Sequence, residues 1–156
     1  MIKLKFMKIL MVCLGNICRS PLAEGILAQK AIQKGLNWKI ESAGTYGGHA
    51  GEKPDGRSIK VALKHNIDIE KQRSRQFNAY DLEQFDIIYA MDSANLKDLL
   101  KHAQNDEEIA KVKMIMNELE PDENVDVPDP YYGEFGFENV YKMLEAACDV
   151  IVEKYK

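Results

Sequence analysis

The sequence predicts an α/β fold, a single-domain three-layer sandwich in which a four-stranded parallel sheet carries helices on both faces. Apolar stretches of strand length alternate with amphipathic stretches of helical length, and this order is typical of parallel sheets. A chain of 156 residues has the size of one domain. No repeat, low-complexity segment or linker divides it, so we assign residues 1–156 to one domain.

The first half of the chain reads as one strand–helix–strand unit. Residues 8–12 form a short apolar run typical of a strand buried on both faces. A helix is predicted over residues 20–35, with Ser20 as its N-cap and Pro21 at its first position. Its buried face should include Leu22, Ile26 and Ile32. Residues 37–44 form the second strand, and the glycine-rich loop 45–56 follows.

The second half supplies the other two strands. Strands are predicted over residues 85–91 and 111–116, and helices over residues 55–64, 75–85, 92–103 and 137–155. Asp92 is suited to cap the third of these helices. A long acidic loop with three prolines precedes the last helix. Because ligands bind beyond the carboxyl ends of parallel strands, we look for a site where these strands end.

Composition excludes several classes of function. The chain has 46% hydrophobic and 29% charged residues and a net charge of −4, which is typical of a soluble globular protein and argues against a nucleic-acid or anionic-membrane partner. Three cysteines do not make a disulfide framework and favour a reducing compartment. The N-terminal apolar run is too short for a signal peptide. We therefore expect a cytoplasmic monomer.

The segment between the first strand and the first helix carries the chemistry. Cys13 and Arg19 are spaced as C-x5-R, and the loop between them ends at a helix N-terminus, whose free N–H groups bind anions. Gly15 and Asn16 permit the left-handed turns that curl a backbone around an anion. The helix end and Arg19 both favour the thiolate of Cys13, a nucleophile, while Arg19 can clamp two phosphoryl oxygens.

The spacing alone has a plainer explanation. Cys13 could be a small buried apolar residue, and Arg19 a solvated charge at a helix end. The placement between strand and helix, together with Gly15, Asn16 and the Ser-Pro pair, favours an anion-binding catalytic loop. As phosphorus becomes five-coordinate, the loop amides and Arg19 would stabilise its equatorial oxygens.

The motif VCLGNICRSP resembles the signature V-C-x-G-N-x-C-R-S-P of the low-molecular-weight protein tyrosine phosphatases. Similar landmarks recur as SAGT (residues 42–45), AMDSANL (90–96) and VPDPYYG (127–133). The resemblance implies a four-stranded parallel sheet, no metal or cofactor, and hydrolysis through a phosphocysteine. It implies a tyrosine-phosphorylated protein or a small aryl phosphate as partner. The residues it places around the phosphoryl group are Leu14, Gly15, Asn16, Ile17, Cys18 and Ser20.

A carboxyl group must protonate the leaving group and later activate water. The acidic loop offers Asp126 and Asp129, either of which could be part of an ordinary turn. The resemblance favours Asp129, because the family's general acid lies in a D-P-Y segment. Adjacent Tyr131 and Tyr132 could pack within the loop, but in the family such tyrosines flank the pocket and suit an aromatic ring.

Other residues are expected to support the loop. Ser20 could also donate its hydroxyl to the Cys13 sulfur, Asp92 could orient Arg19, and Asn16 and Ser42 could brace the loop through hydrogen bonds. Cys18 is either a small apolar filler or, as the resemblance implies, a disulfide partner that protects the nucleophile from peroxide. Cys148 is expected to be inert.

Two departures from the family pattern bear on substrate. Gly47 and Gly48 stand before His49, where many relatives have an aromatic residue, so we expect one pocket wall to be missing. Gln72 stands where the family often has a histidine. Preference between phosphotyrosine and phosphoarginine stays open at this point.

Rival functions fit less well. An arsenate reductase needs two further cysteines on a mobile segment, and residues 70–100 contain none. A phosphoprotein-binding module would not need Cys13, Arg19 and Asp129 together. The chain lacks the G-K-[ST] of a P-loop NTPase, and its histidines and cysteines lack zinc-ligand spacing.

Overall fold

The computed structural model describes residues 6–132 and 136–156, and their architecture is the predicted one. A four-stranded parallel sheet has the order β2-β1-β3-β4. Its strands are β1 (Met7–Cys13), β2 (Trp38–Gly44), β3 (Ile87–Ala90) and β4 (Val112–Met114). The helices are α1 (Arg19–Gln33), α2 (Gly56–Lys64), α3 (Asp81–Gln84), α4 (Ser93–Leu100), α5 (Asp106–Lys111) and α6 (Gly136–Tyr155). Two short 3₁₀ helices lie at Ile115–Glu118 and Pro130–Tyr132.

Strand β1 lies at the centre of the sheet, and its side chains divide between two cores. Ile9 and Met11 pack in the larger core together with α1 and α6, whereas Leu10 and Val12 pack in the smaller core on the other face, with α3 and α4. This alternation is what the period of two in a strand requires. Both faces are buried, which is why the first strand reads as an uninterrupted apolar run.

The pairing of the strands brings their carboxyl ends to one edge. Cys13 is the last residue of β1 and lies opposite Gly44, the last residue of β2. Glycine is needed there, because a Cβ on Gly44 would lie 2.7 Å from the carbonyl oxygen of Leu14. The neighbouring strand β3 ends with Ala90 beside Val12, and Asp92 follows two residues later. The site predicted at this edge is therefore assembled by the sheet itself.

The prediction that Ser20 caps the first helix is wrong. Helix α1 begins at Arg19, with Cys18 in the N-cap position and no capping side chain. Ser20 and Pro21 are instead its second and third residues, where a proline is still tolerated because first-turn N–H groups have no helical partner. The Ser20 hydroxyl is absent from the cap because it faces the sulfur of Cys13, at 3.0 Å.

The buried face of α1 also differs from the prediction at one position. Ile32, expected on that face, is 77% exposed. Near the end of the helix, Ala31 contributes to the core in its place. The buried apolar residues of this helix are Leu22, Ala23, Ile26, Leu27 and Ala31.

The region between the second and third strands is less helical than predicted. Of residues 75–85 only Asp81–Gln84 is α-helical. The backbone before it is held extended, because the Gly44 N–H donates to the Arg75 carbonyl at 2.9 Å and the Phe77 N–H donates to the Gly44 carbonyl at 2.7 Å. This short bridge lies against the outside of the Cys-to-Arg loop.

Two further differences lie near β4. The strand is three residues long, because Ile115–Glu118 turns into a 3₁₀ helix. Helix α5 was not predicted; it begins after Asn105, whose side chain accepts a hydrogen bond from the Glu108 N–H. None of its residues is buried, so it has no apolar periodicity to detect. Within residues 6–132 and 136–156, no helix combines the length and apolarity that crossing a bilayer requires.

Candidate active site

The loop from Cys13 to Arg19 curls tightly beneath a surface cleft. Asn16 adopts the left-handed conformation, with φ of 56°, which an asparagine tolerates better than most residues. Gly15 does not supply that turn. A Cβ on Gly15 would lie 3.0 Å from the ring of His49, so a larger residue there would require the His49 ring to shift. The sequence therefore identified the loop, but the left-handed residue is Asn16 and not its neighbour.

The sulfur of Cys13 lies among hydrogen-bond donors at the base of this loop. The backbone N–H of Asn16 donates to Sγ at 3.3 Å, and the Ser20 hydroxyl lies 3.0 Å from it. The side-chain nitrogen of Asn16 donates to the Ser20 oxygen at 2.8 Å. That oxygen accepts a hydrogen bond from Asn16 and keeps its own hydrogen, which it can donate to the sulfur. The expected contact between Ser20 and Cys13 is present.

Asn16 also braces the loop from beneath. Its side-chain nitrogen donates to the Ser42 hydroxyl at 3.0 Å, and its side-chain oxygen accepts from the Arg75 N–H at 3.1 Å. The Ser74 hydroxyl adds a hydrogen bond to the Gly15 carbonyl at 3.1 Å. The predicted bracing by Asn16 and Ser42 is therefore observed. No sequence motif pointed to Ser74, because it contacts the loop from a segment that is distant along the chain.

Arg19 is buried and held in a fixed orientation. Its Nη1 donates to Asp92 Oδ2 at 2.6 Å and to the Val127 carbonyl at 3.0 Å. Its Nη2 faces Asp129, 3.8 Å from Oδ2. Burial alone would lower the pKa of Arg19, but the neighbouring Cys13, Asp92 and Asp129 raise it above its ordinary value. The guanidinium therefore stays charged, and it lines the same cleft as the sulfur of Cys13.

Asp92 serves both of the functions considered from the sequence. Oδ1 accepts the Asn95 N–H at 2.8 Å, and the Asn95 side chain accepts the Asp92 N–H at 3.2 Å, which completes a capping box at the start of α4. The other oxygen, Oδ2, holds Arg19. One carboxylate thus joins the helix after β3 to the arginine of the loop after β1.

The two candidate acids occupy different environments. Asp126 lies at the start of α4 and helps to cap this helix, since its Oδ1 accepts the Ser93 N–H at 2.9 Å. Asp129 lines the cleft together with Cys13 and Arg19. Its Oδ1 accepts the Tyr131 N–H at 3.0 Å, which leaves Oδ2 on the side of Arg19. Of the two carboxyl groups, only Asp129 is placed to reach a group bound at Cys13.

The cleft has a volume of about 210 Å³ and a mixed lining. Its residues are Cys13, Leu14, Gly15, Ile17, Cys18, Arg19, Tyr46, His49, Asp129 and Tyr131. Asn16 and Ser20, also predicted around the phosphoryl group, are not among these lining residues, and their side chains brace the loop through hydrogen bonds. Tyr132 lies in the 3₁₀ helix Pro130–Tyr132, and its side chain is outside the described residues.

The expectation that one pocket wall is missing is wrong. Tyr46 lines the cleft, and its ring meets that of His49 edge-to-face with centroids 6.2 Å apart. Nδ1 of His49 pairs with Glu52 Oε2 at 2.7 Å, which orients the ring. Tyr46, the residue directly before Gly47 and Gly48, forms the pocket wall that was expected to be missing. Gly48 leaves space for the tyrosine, since a Cβ on this residue would collide with the Tyr46 ring.

Arg57 is a feature of the site that the sequence did not indicate. Its guanidinium forms a two-pronged contact with Asp55, with Nε–Oδ1 and Nη2–Oδ2 distances of 2.9 Å. Nη1 donates to the Tyr131 carbonyl at 3.1 Å, and the guanidinium carbon lies 5.1 Å from the Tyr131 ring centroid. Because the Asp55 N–H donates to the Ile17 carbonyl at 2.7 Å, Asp55 and Arg57 join the segment that carries Asp129 and Tyr131 to the Cys13–Arg19 loop.

The three cysteines differ in surroundings. All are free thiols and buried. Burial, with a smaller contribution from Asp55, raises the pKa of Cys18 to about 12, so this residue is a neutral thiol in the cleft wall. Cys148 lies wholly within the larger core, and burial raises its pKa as well. Among residues 6–132 and 136–156, no three His, Cys, Asp or Glu side chains are grouped so that they could hold a metal ion.

Comparison with known proteins gives a consistent result. A sequence model described as "Low molecular weight phosphotyrosine protein phosphatase" matches residues 8–156. A Drosophila melanogaster protein, low molecular weight phosphotyrosine protein phosphatase 2, is 40% identical over 145 residues, which cover 90% of this chain and 87% of that protein. The structure of an Entamoeba histolytica protein tyrosine phosphatase superposes with a TM-score of 0.88 at 36% identity, covering 95% of this chain and 96% of the other. A Drosophila arginine phosphatase superposes equally well, with a TM-score of 0.88 at 31% identity, covering 96% and 98%.

Proposed function

The chain belongs to the low molecular weight phosphotyrosine protein phosphatases, a family of hydrolases, and on that premise we propose that it cleaves phosphotyrosine monoesters through a phosphocysteine on Cys13. The observation that carries the proposal is the convergence of three side chains on one cleft. The sulfur of Cys13, the guanidinium of Arg19 and the carboxyl group of Asp129 all line it. They supply a nucleophile, an anion clamp and a proton donor.

In the first step the Cys13 thiolate attacks phosphorus. A sulfur–phosphorus bond forms as the bond between phosphorus and the aryl oxygen breaks, and that oxygen leaves with the proton of Asp129. The loop amides and the free face of Arg19 stabilise the charge on the equatorial oxygens. Because Nη1 is engaged by Asp92 and Val127, the Nη2 side of the guanidinium is the part left for phosphate.

In the second step the Asp129 carboxylate takes a proton from water, and the water oxygen attacks phosphorus. The sulfur–phosphorus bond breaks, inorganic phosphate forms and Asp129 is protonated again. Cys13 leaves as a thiolate, and the Ser20 hydroxyl, 3.0 Å from the sulfur, stabilises that charge. The hydroxyl therefore lowers the barrier to departure without exchanging its own proton.

The lining of the cleft favours an aryl substrate. Tyr46 and Tyr131 stand at its mouth, 57% and 43% exposed, and Leu14 is 49% exposed beside them. Aromatic side chains at the mouth of a cleft suit a phenyl ring, and this supports phosphotyrosine as the substrate. Phosphoarginine is the second candidate, because the superposing structures include an arginine phosphatase. The steady-state ratio of kcat/KM for phosphotyrosine and phosphoarginine peptides decides between them.

The proposal also includes the cellular location of the enzyme and its response to oxidants. The free thiols of Cys13, Cys18 and Cys148 are compatible with a reducing compartment, and we place the enzyme in the cytoplasm as a monomer acting on tyrosine-phosphorylated proteins. Peroxide would oxidise Cys13 to a sulfenic acid, and attack by Cys18 would release water and form a disulfide. Mass spectrometry after mild peroxide treatment should find that bridge. A Cys13 sulfinic acid without it would leave Cys18 as a packing residue.

Hydrolysis of aryl phosphates with graded leaving groups tests the proposal. Cys13→Ser should abolish turnover while phosphate still binds in calorimetry. Asp129→Asn should lower kcat/KM by roughly 10²–10⁴-fold, and most strongly for poor leaving groups, because those need the proton most. Asp126→Asn is the matched control, since that carboxylate caps α4. An equal loss across all leaving groups would remove Asp129 from the acid role, and a fully active Cys13→Ser would refute the mechanism.

A further inference from the structure

The carbonyl groups of the Cys13–Arg19 loop are held from outside by donors on other segments of the chain. The Leu14 carbonyl accepts from the Tyr46 N–H at 2.8 Å, and the Ile17 carbonyl accepts from the Asp55 N–H at 2.7 Å. These two donors belong to the main chain. Two peptide groups of the loop are therefore fixed without the help of any side chain.

Two serine side chains hold two further carbonyl groups of the loop. Ser74 donates from Oγ to the Gly15 carbonyl at 3.1 Å, and Ser58 donates from Oγ to the Cys18 carbonyl at 3.2 Å. Both serines are buried. Because a carbonyl oxygen can only accept, each serine gives its single hydrogen to the loop. We refer to Ser58 and Ser74 as the outer serines, and the proposed mechanism uses neither.

The contact of Ser74 determines where one N–H of the loop points. The C=O and N–H of a trans peptide group point in opposite directions, and none of the described peptide bonds is cis. The Gly15 carbonyl points outward to Ser74, so the N–H of Asn16 points inward, where it donates to Cys13 Sγ at 3.3 Å. A single peptide group is thus held at both of its ends.

Without the Ser74 hydroxyl this peptide group could turn over. Such a turn requires changes only in ψ of Gly15 and φ of Asn16, and glycine accepts a wide range of backbone angles. Asn16 has a φ of 56°, so the turn would return it to the negative φ that residues other than glycine prefer. The turned peptide would present its carbonyl oxygen to the sulfur and to a bound phosphate, and both repel that oxygen.

Ser58 has the corresponding effect at the start of α1. It lies on α2 and holds the Cys18 carbonyl, so the N–H of the next residue, Arg19, points away from α2. Arg19 is the first residue of α1, and its N–H has no partner within the helix. This N–H is available to an anion bound in the loop. The outer serines therefore orient two N–H groups at different places in one loop.

We propose that Ser58 and Ser74 are positioning residues that direct the N–H groups of Arg19 and Asn16 toward the phosphoryl group. The inference rests on the proposed function, because that function places the phosphoryl group in this loop. Donors aligned before the substrate binds need no reorganisation when charge develops on the equatorial oxygens. Removing either hydroxyl leaves one peptide group free to turn, so both the affinity for phosphate and kcat should fall.

Nuclear magnetic resonance with inorganic phosphate tests each serine at its own peptide group. In wild type, the backbone amide resonances of Asn16 and Arg19 should both shift when phosphate is added. Ser74→Ala should reduce the shift of Asn16 more than that of Arg19, and Ser58→Ala should do the reverse. A merely structural role would not produce this exchange. Shifts that stay as in wild type, or that shrink equally at both amides in both variants, would overturn the inference.

Calorimetry with inorganic phosphate measures the size of the effect. Ser58→Ala and Ser74→Ala should each weaken binding about two- to tenfold, the range expected for one neutral hydrogen bond. Ser74→Thr keeps the hydroxyl and should restore most of the affinity. The main chain of residue 74 is held at 2.8 Å by residues 51 and 52, so Ser74→Ala removes only the side-chain contact. Ser93→Ala is the matched control, since its hydroxyl lies 3.4 Å from Asp126 Oδ2 and outside the loop.

The outcomes separate this inference from the proposed function. If both alanine variants bind phosphate as tightly as wild type, the inference fails, and turnover of an aryl phosphate by wild type leaves the function intact. Weaker binding in the variants, with no turnover by wild type, would do the reverse. A wild type that binds no phosphate would overturn both. If one variant does not fold, the other must still show its loss of affinity and its own amide response, or the inference fails.

Discussion

The ionisation of Glu24 should be visible in the stability of the protein. The perturbation is Glu24→Gln, which keeps the shape of the side chain and an oxygen that can accept from Ser42 but removes the titration. Folding raises the pKa of Glu24 from an ordinary value of 4.5 to about 7, so the folded protein holds this proton more tightly than the unfolded chain. The free energy of unfolding must therefore depend on pH.

The sign and size of that dependence follow from the two pKa values. Below about pH 4.5 Glu24 is protonated in both states, and its contribution to stability is fully present. As the pH rises to about 7, the unfolded chain gives up the proton first and the contribution is lost. Each pKa unit corresponds to about 1.4 kcal/mol. Wild type should thus lose about 3 kcal/mol of stability relative to Glu24→Gln across this window.

Urea denaturation followed by circular dichroism, at closely spaced pH values, measures this difference directly. Ser42→Ala provides a second check, because the Ser42 hydrogen bond lowers the pKa of Glu24. Without this hydrogen bond the pKa of folded Glu24 should be higher, so the loss of stability with rising pH should extend to higher pH and become larger. A difference between wild type and Glu24→Gln that is constant from pH 4.5 to pH 7 would contradict the environment assigned to Glu24.

Three other substitutions probe the frame of the site. Asp92→Ala should lower the free energy of unfolding in urea titrations by roughly 3–4 kcal/mol, because it leaves buried Arg19 without its partner and removes the cap of α4. Asp92→Asn keeps the cap and should lower the free energy of unfolding clearly less, and equal losses for the two variants would contradict this explanation. Gly44→Ala, whose Cβ would lie 2.7 Å from the Leu14 carbonyl, should weaken phosphate binding about tenfold in calorimetry, and unchanged affinity would show that the loop adapts. Arg57→Ala should lower kcat several-fold for poor leaving groups while Arg57→Lys restores part of it, and a uniform loss would indicate a merely structural role.

Local patterns in the sequence were sufficient to predict the central strand, the loop that follows it and the cap of α4. The central strand is buried on both faces, and the C-x5-R segment follows it directly, so the pattern of neighbouring residues predicts both. Asp92 was predictable as a cap because capping depends on residues within one turn. Helix α5 was missed for the complementary reason, since none of its residues is buried and it has no apolar face to indicate it.

The parts that were missed depend on contacts between distant segments. Arg57 reaches Tyr131, and Ser42 reaches Glu24, through folding that no local pattern records. Ser20 shows how a local rule fails when another partner competes: its hydroxyl suits an N-cap, but the sulfur of Cys13 and the amide of Asn16 both engage it. The residue pattern alone also could not decide whether Asp126 or Asp129 is the general acid, and the choice of Asp129 required the family resemblance.

The claim at the centre of the proposed mechanism is that the sulfur of Cys13 carries the phosphoryl group during turnover. Rapid acid quenching during hydrolysis of an aryl phosphate, followed by peptide mass spectrometry with fragmentation, tests it most directly. We expect a phosphoryl group on Cys13 in wild type, and none in Cys13→Ser. A phosphoryl group on any other residue, or steady turnover with Cys13 never modified, would contradict the mechanism.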